Sequence, residues 1–454
     1  MKTKRIFWIA YFVLLAAAFA YWAFSAAYLG MALLVAALSC ALFGLIPPQL
    51  CPALEALRAQ SAPAPAEEGG KRSLRFWRRH PWLKIALGLL ALRLLLYAFA
   101  YAADIRVNGY TGSLLNTLER LWTRTDAPHY IGIAKNWYVA EGDPRFHIVF
   151  FPLYPLVIRL IGYLCGGSGF AAALVASNLC AIGGGILLYE LAALDYPRRD
   201  ALYTLLIGVL LPGALFLGAP MSESLFLLLS LACMLCARKR KFLLAGAFGA
   251  LAAFTRSLGV LLAVPIAVEF LLCAPPLKSW HKKDIARLLV SLAIVGLGTA
   301  GYVYINYAVT GDAFKFLQYQ REHWHQALGF FWNTAAYQTE YLLSALAQGD
   351  MRMAWGLYLP NLLAAFGALA IMLPAARRLR PSYSAYFLVY FAVSIGCTWL
   401  LSGPRYLAVC FPLPLTAAAL LRHSPKWLRV LAPVGLGCLL LVYTALYVLG
   451  YPVY

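Results

Sequence analysis

Apolar runs of 16 to 22 residues recur along most of this 454-residue chain, and each is close to the ~20 residues a helix needs to cross a ~30 Å hydrocarbon core. With 63% of its residues hydrophobic and 12% charged, the chain reads as an all-α, polytopic helical membrane protein. The formal net charge of +20 then requires no nucleic acid, because Lys and Arg gather in cytoplasmic loops and beside anionic headgroups. Most of the ten cysteines lie inside apolar runs and none forms paired clusters at metal-ligand spacing, so neither a disulfide framework nor a zinc site is expected. Cys233 and Cys236 form a lone CxxC within an apolar helix, where small packing residues are the simplest reading.

Lys2, Lys4 and Arg5 precede an apolar run from about residue 6 to 24, and a second follows at about 26–46. The immediate second run favours a retained anchor over a cleaved signal. Residues 47–81 form a linker of low hydrophobicity, where SAPAPAEEGGKR gives a flexible tether and Arg72, Arg75, Arg78 and Arg79 a basic approach to the membrane. The chain therefore divides into two leading helices at 1–46, the linker, and a multispanning body at 82–454. Further spans are expected at about 82–102, 170–192, 201–218, 222–237, 242–258, 259–274, 287–309, 353–375, 382–401, 406–421 and 428–449, about thirteen in all.

Basic clusters at Arg198–Arg199, Arg238–Lys241, Lys278–Lys283, Arg377–Arg380 and Arg422–Arg429 should all face the cytoplasm. If the 82–102 span leaves the cytoplasm, a single crossing must join residue 105 to residue 197, yet two apolar runs lie between them, 149–165 and 170–192. The first is short, contains Arg159 and two prolines, and reads as an interfacial or re-entrant helix. Polar segments around Asp126, Glu223, Arg256, Arg405 and the 310–352 loop then share the outer face.

The longest polar interruption runs from Leu121 to Pro155, LWTRTDAPHYIGIAKNWYVAEGDPRFHIVFFPLYP, and polar groups at a membrane boundary must be solvated, paired or used. A transporter would carry ionisable residues near the midplane, on broken helices and often in repeated halves. This chain keeps its acids, histidines and arginines at span ends and in outer loops, which suits a substrate that is part lipid and part polar headgroup. A flippase or transporter of a lipid-linked sugar is the alternative reading, and an assembly protein a third.

The runs TDAPHYIGIAKNWY and FFPLYPLVIRL resemble the WDA-HY-IA-GY and FFP-YP pattern of the PIG-V family, the second mannosyltransferase of glycosylphosphatidylinositol synthesis and its bacterial relatives. PMSESLF at 220–226, AFTRSLGVLL at 253–262, GDAFKFLQYQREHW at 311–324 and GPRYLAVCFPL at 403–413 follow in the same order, so the similarity covers about residues 82–450. The chain departs from the pattern at Thr125, where the family usually has Trp, and at Leu258, where Asn is commoner. The resemblance implies a GT-C glycosyltransferase of the hexosyltransferase kind in a bacterial plasma membrane, with its site facing outward. It further implies a polyprenyl-phosphate sugar, with mannose as the expected sugar, a glycolipid or glycan acceptor, and no cofactor. Asp126 matches the family's catalytic base in the first outer loop, with Glu223 as a second catalytic candidate. His129, Tyr130, Arg256, Gln320, Arg405 and Tyr406 are the candidates for holding the donor.

The chemistry accounts for these residue types. A carboxylate that accepts the proton of an attacking hydroxyl supplies ~10²–10⁴-fold. Arginine or histidine donors stabilise the charge gathering on the departing lipid phosphate. Each residue also has a plainer reading. Asp126 could cap the helix starting near Pro128, Glu223 could favour a positive helix end, and His129 could be a hydrogen-bonded interfacial residue. Arg256 and Arg405 could snorkel to headgroups. His323 and His325 suggest a metal pair, but alternate residues of a helix do not share a face.

Overall fold

The computed structural model describes residues 2–24, 81–109, 112–273, 281–329 and 331–454, with 36–37, 39–41, 43–46 and Gln49. Most of the second leading span and nearly all of the 47–81 linker, with its four arginines, therefore lie outside the described residues. Among the described residues the protein is helical, with one isolated antiparallel bridge between Leu328 and Cys397 and no strand. This is a multi-pass helical membrane protein.

Five described helices are long and apolar enough to cross a membrane: Pro81–Asn108, Gly169–Ala193, Lys282–Thr310, Met351–Arg378 and Lys426–Val448. The other expected spans of the body are shorter or broken. Arg198–Leu210 gives way to a 3₁₀ turn, Pro212–Leu217; Phe242–Thr255 ends at an extended Arg256; and Gly403–Ala408 is followed by Pro412–Leu421. Prolines that donate no N–H stand at several of these breaks, and an interrupted helix in lipid is tolerated only where it lines a cavity or packs on protein. The segment expected to be interfacial or re-entrant is a pair of short helices, Asp143–Val149 and Leu153–Gly162, bent by 111° across Pro152.

Helices Gly169–Ala193, Glu223–Arg238, Phe242–Thr255 and Lys282–Thr310 pack in succession. The sequence FLLAGAFGALAAFT in the third of these is rich in small residues, which lets backbones approach closely where no hydrophobic force separates helix from lipid. Lys426–Val448 closes the body against Pro212–Leu217 and Pro81–Asn108. The first leading helix, Lys2–Phe24, touches the body, with Phe19 edge-on to Trp332 at 5.2 Å.

Ionic groups collect at the two ends of this bundle. At one end, Arg238 grips Asp195 with both terminal nitrogens at 2.7 Å, Arg380 and Ser382 bind the fully buried Glu269, and Arg422 pairs with Asp200 at 3.3 Å. The basic clusters at 198–199, 238–241, 377–380 and 422–429 thus share one end. The helix starting at Glu223 and the helix ending before Arg256 carry the chain to the other end, where the polar loops meet.

Candidate active site

Asp126 stands at the entrance of the helix Ala127–Asn136, directly after Thr125, a β-branched residue held at φ +54. Such a backbone conformation is strained for Thr and persists only where surrounding contacts hold it. The Asp126 carbonyl accepts from the amides of His129 and Tyr130 at 3.1 and 3.2 Å, while its carboxylate makes no capping bond. The capping role considered from sequence is therefore filled by the backbone. The carboxylate instead accepts from Arg405 Nη2 at 2.6 Å.

Arg405 projects from Gly403–Ala408, and its side chain is 3% exposed. Its Nε donates to Glu223 Oε1, and its guanidinium lies 5.4 Å from the centre of the Phe216 ring. Arg256, where the preceding helix ends in extended backbone, donates from Nη1 to the same Glu223 oxygen and to Ser222 Oγ at 3.1 Å. Its guanidinium sits 5.7 Å from the Tyr406 ring centre. Neither arginine snorkels, because both turn inward to a shared carboxylate. Glu223 is fully buried, and its Oε2 has no hydrogen-bond partner among the described residues. Tyr130 OH and Ser222 Oγ, 2.9 Å apart, complete this floor.

His129 and His147 share one hydrogen bond, Nδ1 to Nε2 at 3.0 Å, and His129 stacks on Phe150 with centroids 4.9 Å apart. Burial lowers the His129 pKa, opposed by the Asp126 carboxylate and reinforced by His323; burial and the neighbouring His129 lower that of His147. Both shifts favour the neutral rings, and in the hydrogen bond between them one ring nitrogen donates and the other accepts. The helix Lys315–Glu322 ends before His323 and His325, so the two never share a helix, and His323 stacks flat on Phe146 at 3.9 Å.

A cavity of about 360 Å³ brings together seven of the eight candidates: Asp126, His129, Tyr130, Arg256, Gln320, Arg405 and Tyr406. Glu223 does not line it and lies behind the two arginines. Sequence reasoning passed over Phe150, Trp324, Gln326 and Ser402, which also line it. Gln326 accepts from Gln320 at 2.7 Å and donates to the Trp399 carbonyl at 3.0 Å, tying the outer loop to the segment before Arg405. Phe150 and Trp324 lie inside the motifs FFPLYPLVIRL and GDAFKFLQYQREHW, Gln326 lies two residues beyond the second, and Ser402 directly precedes GPRY. Behind Arg405, Gly213, Pro404, Leu407, Leu359, Leu439 and Tyr443 line a separate, almost wholly apolar cavity of about 390 Å³.

Residues 150–300, about a third of the chain, match the family described as dolichyl-phosphate-mannose-protein mannosyltransferase. That family differs from the one the motifs resemble. The chain is also similar to the crystal structure of ArnT from Cupriavidus metallidurans bound to undecaprenyl phosphate, with 16% identity and a TM-score of 0.46 over 82% of this chain and 76% of that one. No curated protein matches it.

Proposed function

We propose that this chain is a membrane glycosyltransferase of the GT-C kind, which moves a sugar, mannose by the motif resemblance, from a polyprenyl phosphate to an acceptor hydroxyl on the side away from the cytoplasm. The observation that carries the reading is a carboxylate, Asp126, paired with the buried Arg405 guanidinium in the wall of a cavity that Arg256 also lines and that has an apolar cavity behind it. The match of residues 150–300 to a family named for a lipid-phosphate sugar supports the donor class.

In this reading Asp126 is the base. The acceptor oxygen forms a bond to the anomeric carbon as its proton passes to Asp126, and the bond from that carbon to the phosphate oxygen breaks with its electron pair. Single displacement inverts the anomeric centre. The products are the glycosylated acceptor and polyprenyl phosphate.

Charge moves in one direction across Arg405. Before reaction Asp126 holds its Nη2; once protonated, the carboxyl attracts the guanidinium less, while the leaving phosphate has gained negative charge. The guanidinium is free to change partner at the moment when the phosphate needs it. Glu223, too buried to touch substrate, keeps Arg405 and Arg256 aimed at that place, a positioning role. Arg256, His129, Tyr130, Gln320 and Tyr406 surround the sugar and phosphate. The lipid tail lies in the apolar cavity behind Pro404.

The test incubates the purified protein with polyprenyl-phosphate mannose, glucose or galactose and a lipid extract as acceptor source, and measures released polyprenyl phosphate. Asp126→Asn keeps the shape and cannot take the proton, so kcat should fall by roughly 10²-fold or more with donor binding retained. Turnover at half the parent rate would remove Asp126 as base. Movement of lipid-linked sugar across vesicles without release of polyprenyl phosphate would favour the flippase alternative.

A further inference from the structure

A second cavity, of about 430 Å³, lies beside the first, and Thr125 and Tyr454 line both. It forms where the chain leaves the Lys426–Val448 helix, and two arginines from distant elements reach the same turn. Arg124 donates from Nη1 to the Tyr447 carbonyl, with its guanidinium 5.2 Å from that residue's ring centre. Arg352 donates from Nη2 to the Gly450 carbonyl at 2.8 Å and lies 5.5 Å from the Tyr451 ring centre.

The two guanidiniums converge. A side-chain carbon built on Gly450 would stand 3.7 Å from Nη2 of Arg124 and 3.9 Å from Nη2 of Arg352, and Gly450 turns at φ +82, which strains any other residue. Among the described residues neither arginine takes part in an ion pair. Asp350, also in the wall, accepts from the Met353 amide at 3.1 Å, and the two arginines outnumber it. Capping of carbonyls at a helix C-terminus accounts for the bonds from Arg124 Nη1 to the Tyr447 and Val448 carbonyls and for the bond from Arg352 to Gly450. It does not account for two like charges meeting at one point, with most of their five N–H donors still available.

We infer that this second cavity is the acceptor subsite and takes an acceptor bearing a phosphomonoester, whose phosphate lies between Arg124 and Arg352 while its hydroxyl reaches Asp126 past Thr125. Two planar forks match the charge, near −2, and the several oxygens of a phosphomonoester. Arg124 lies two residues before Asp126, so the turn that strains Thr125 also fixes the distance between phosphate and base. The inference rests on the glycosyltransferase reading proposed above.

The experiment uses the full chain in nanodiscs of neutral phosphatidylcholine, with dioctanoyl phosphatidic acid as the phosphomonoester probe and dioctanoyl phosphatidylglycerol as the diester control. Phosphatidic acid should raise the melting temperature of the parent protein, bind about tenfold or more weakly to Arg124→Gln and to Arg352→Gln, and exceed phosphatidylglycerol in effect. In the transfer assay it should compete with the lipid-extract acceptor and not with the donor. Equal shifts by both lipids would mean a general attraction for headgroups, and competition with the donor would assign the arginines to the donor phosphate; either overturns the inference. Arg352 is exposed, so its variant reports binding even if Arg124→Gln fails to fold. A parent protein that releases no polyprenyl phosphate from any donor would sink the transferase reading, while the melting shifts still decide whether the phosphate site exists.

Discussion

Arg405 bridges two carboxylates with one guanidinium, Asp126 through Nη2 and Glu223 through Nε, and in the proposed reaction it is the group that meets the donor phosphate. Lysine has a single ammonium and cannot hold both while presenting a fork to phosphate. Arg405→Lys should therefore lower kcat/KM for the donor by about tenfold or more, with both constants affected, since the phosphate carries more charge at the transition state than in the ground state. Donor-concentration kinetics in defined lipid, with anionic lipid varied, checks this; an unchanged kcat/KM would shift the phosphate role to Arg256 or His129. At this scale the motifs GPRY, TDAPHY and PMSES contain the residues that the fold brings together. The sequence did not expose their partners, because Asp126 and Arg405 lie far apart in the chain and spacing carries no information about contact across it.

The elements that matter most are the interrupted ones. The 3₁₀ turn Pro212–Leu217 is held by Arg93 donating to the Ala214 carbonyl and Tyr97 donating to the Gly218 carbonyl, both at 2.8 Å. In return it presents Phe216 to Arg405 and lays Gly213 against the backbone beside it. A Cβ on Gly213 would stand 2.0 Å from the Pro404 carbonyl oxygen and 2.8 Å from the Arg405 amide nitrogen, backbone atoms with no side-chain freedom to yield. Gly213→Ala should displace the Gly403–Ala408 helix, costing about 1–3 kcal/mol by overpacking and lowering kcat more than donor affinity. Thermal melting and steady-state kinetics on the same preparation test it; a variant with parent melting and parent kcat would show that this contact does not set the position of Arg405. Hydropathy marked most of these elements as apolar runs, but could not mark where they break.

For the whole molecule, the consequential feature is the sorting of polar groups to two ends. We expect the end holding Asp126 to face away from the cytoplasm, because the other end gathers the basic clusters. Single cysteines at Glu141 and at Arg199, both exposed, in a cysteine-free background should react with an impermeant maleimide in intact cells only at the first position. Labelling at Arg199 alone would invert the assignment.

Composition and run length determined by themselves that the chain is a helical membrane protein, since burial of so much apolar surface in lipid is a sum over residues and does not depend on which helices touch. Parity of the basic clusters likewise singled out the 149–165 run, which the structure bends between two short helices. Only the tertiary structure decided that Glu223 stands behind the cavity, that Asp126 answers to Arg405 and not to its own helix, and that Arg124 and Arg352 converge on Gly450. Those are contacts between groups up to hundreds of residues apart, set by how helices cross and where they break, and local sequence contains no record of that geometry.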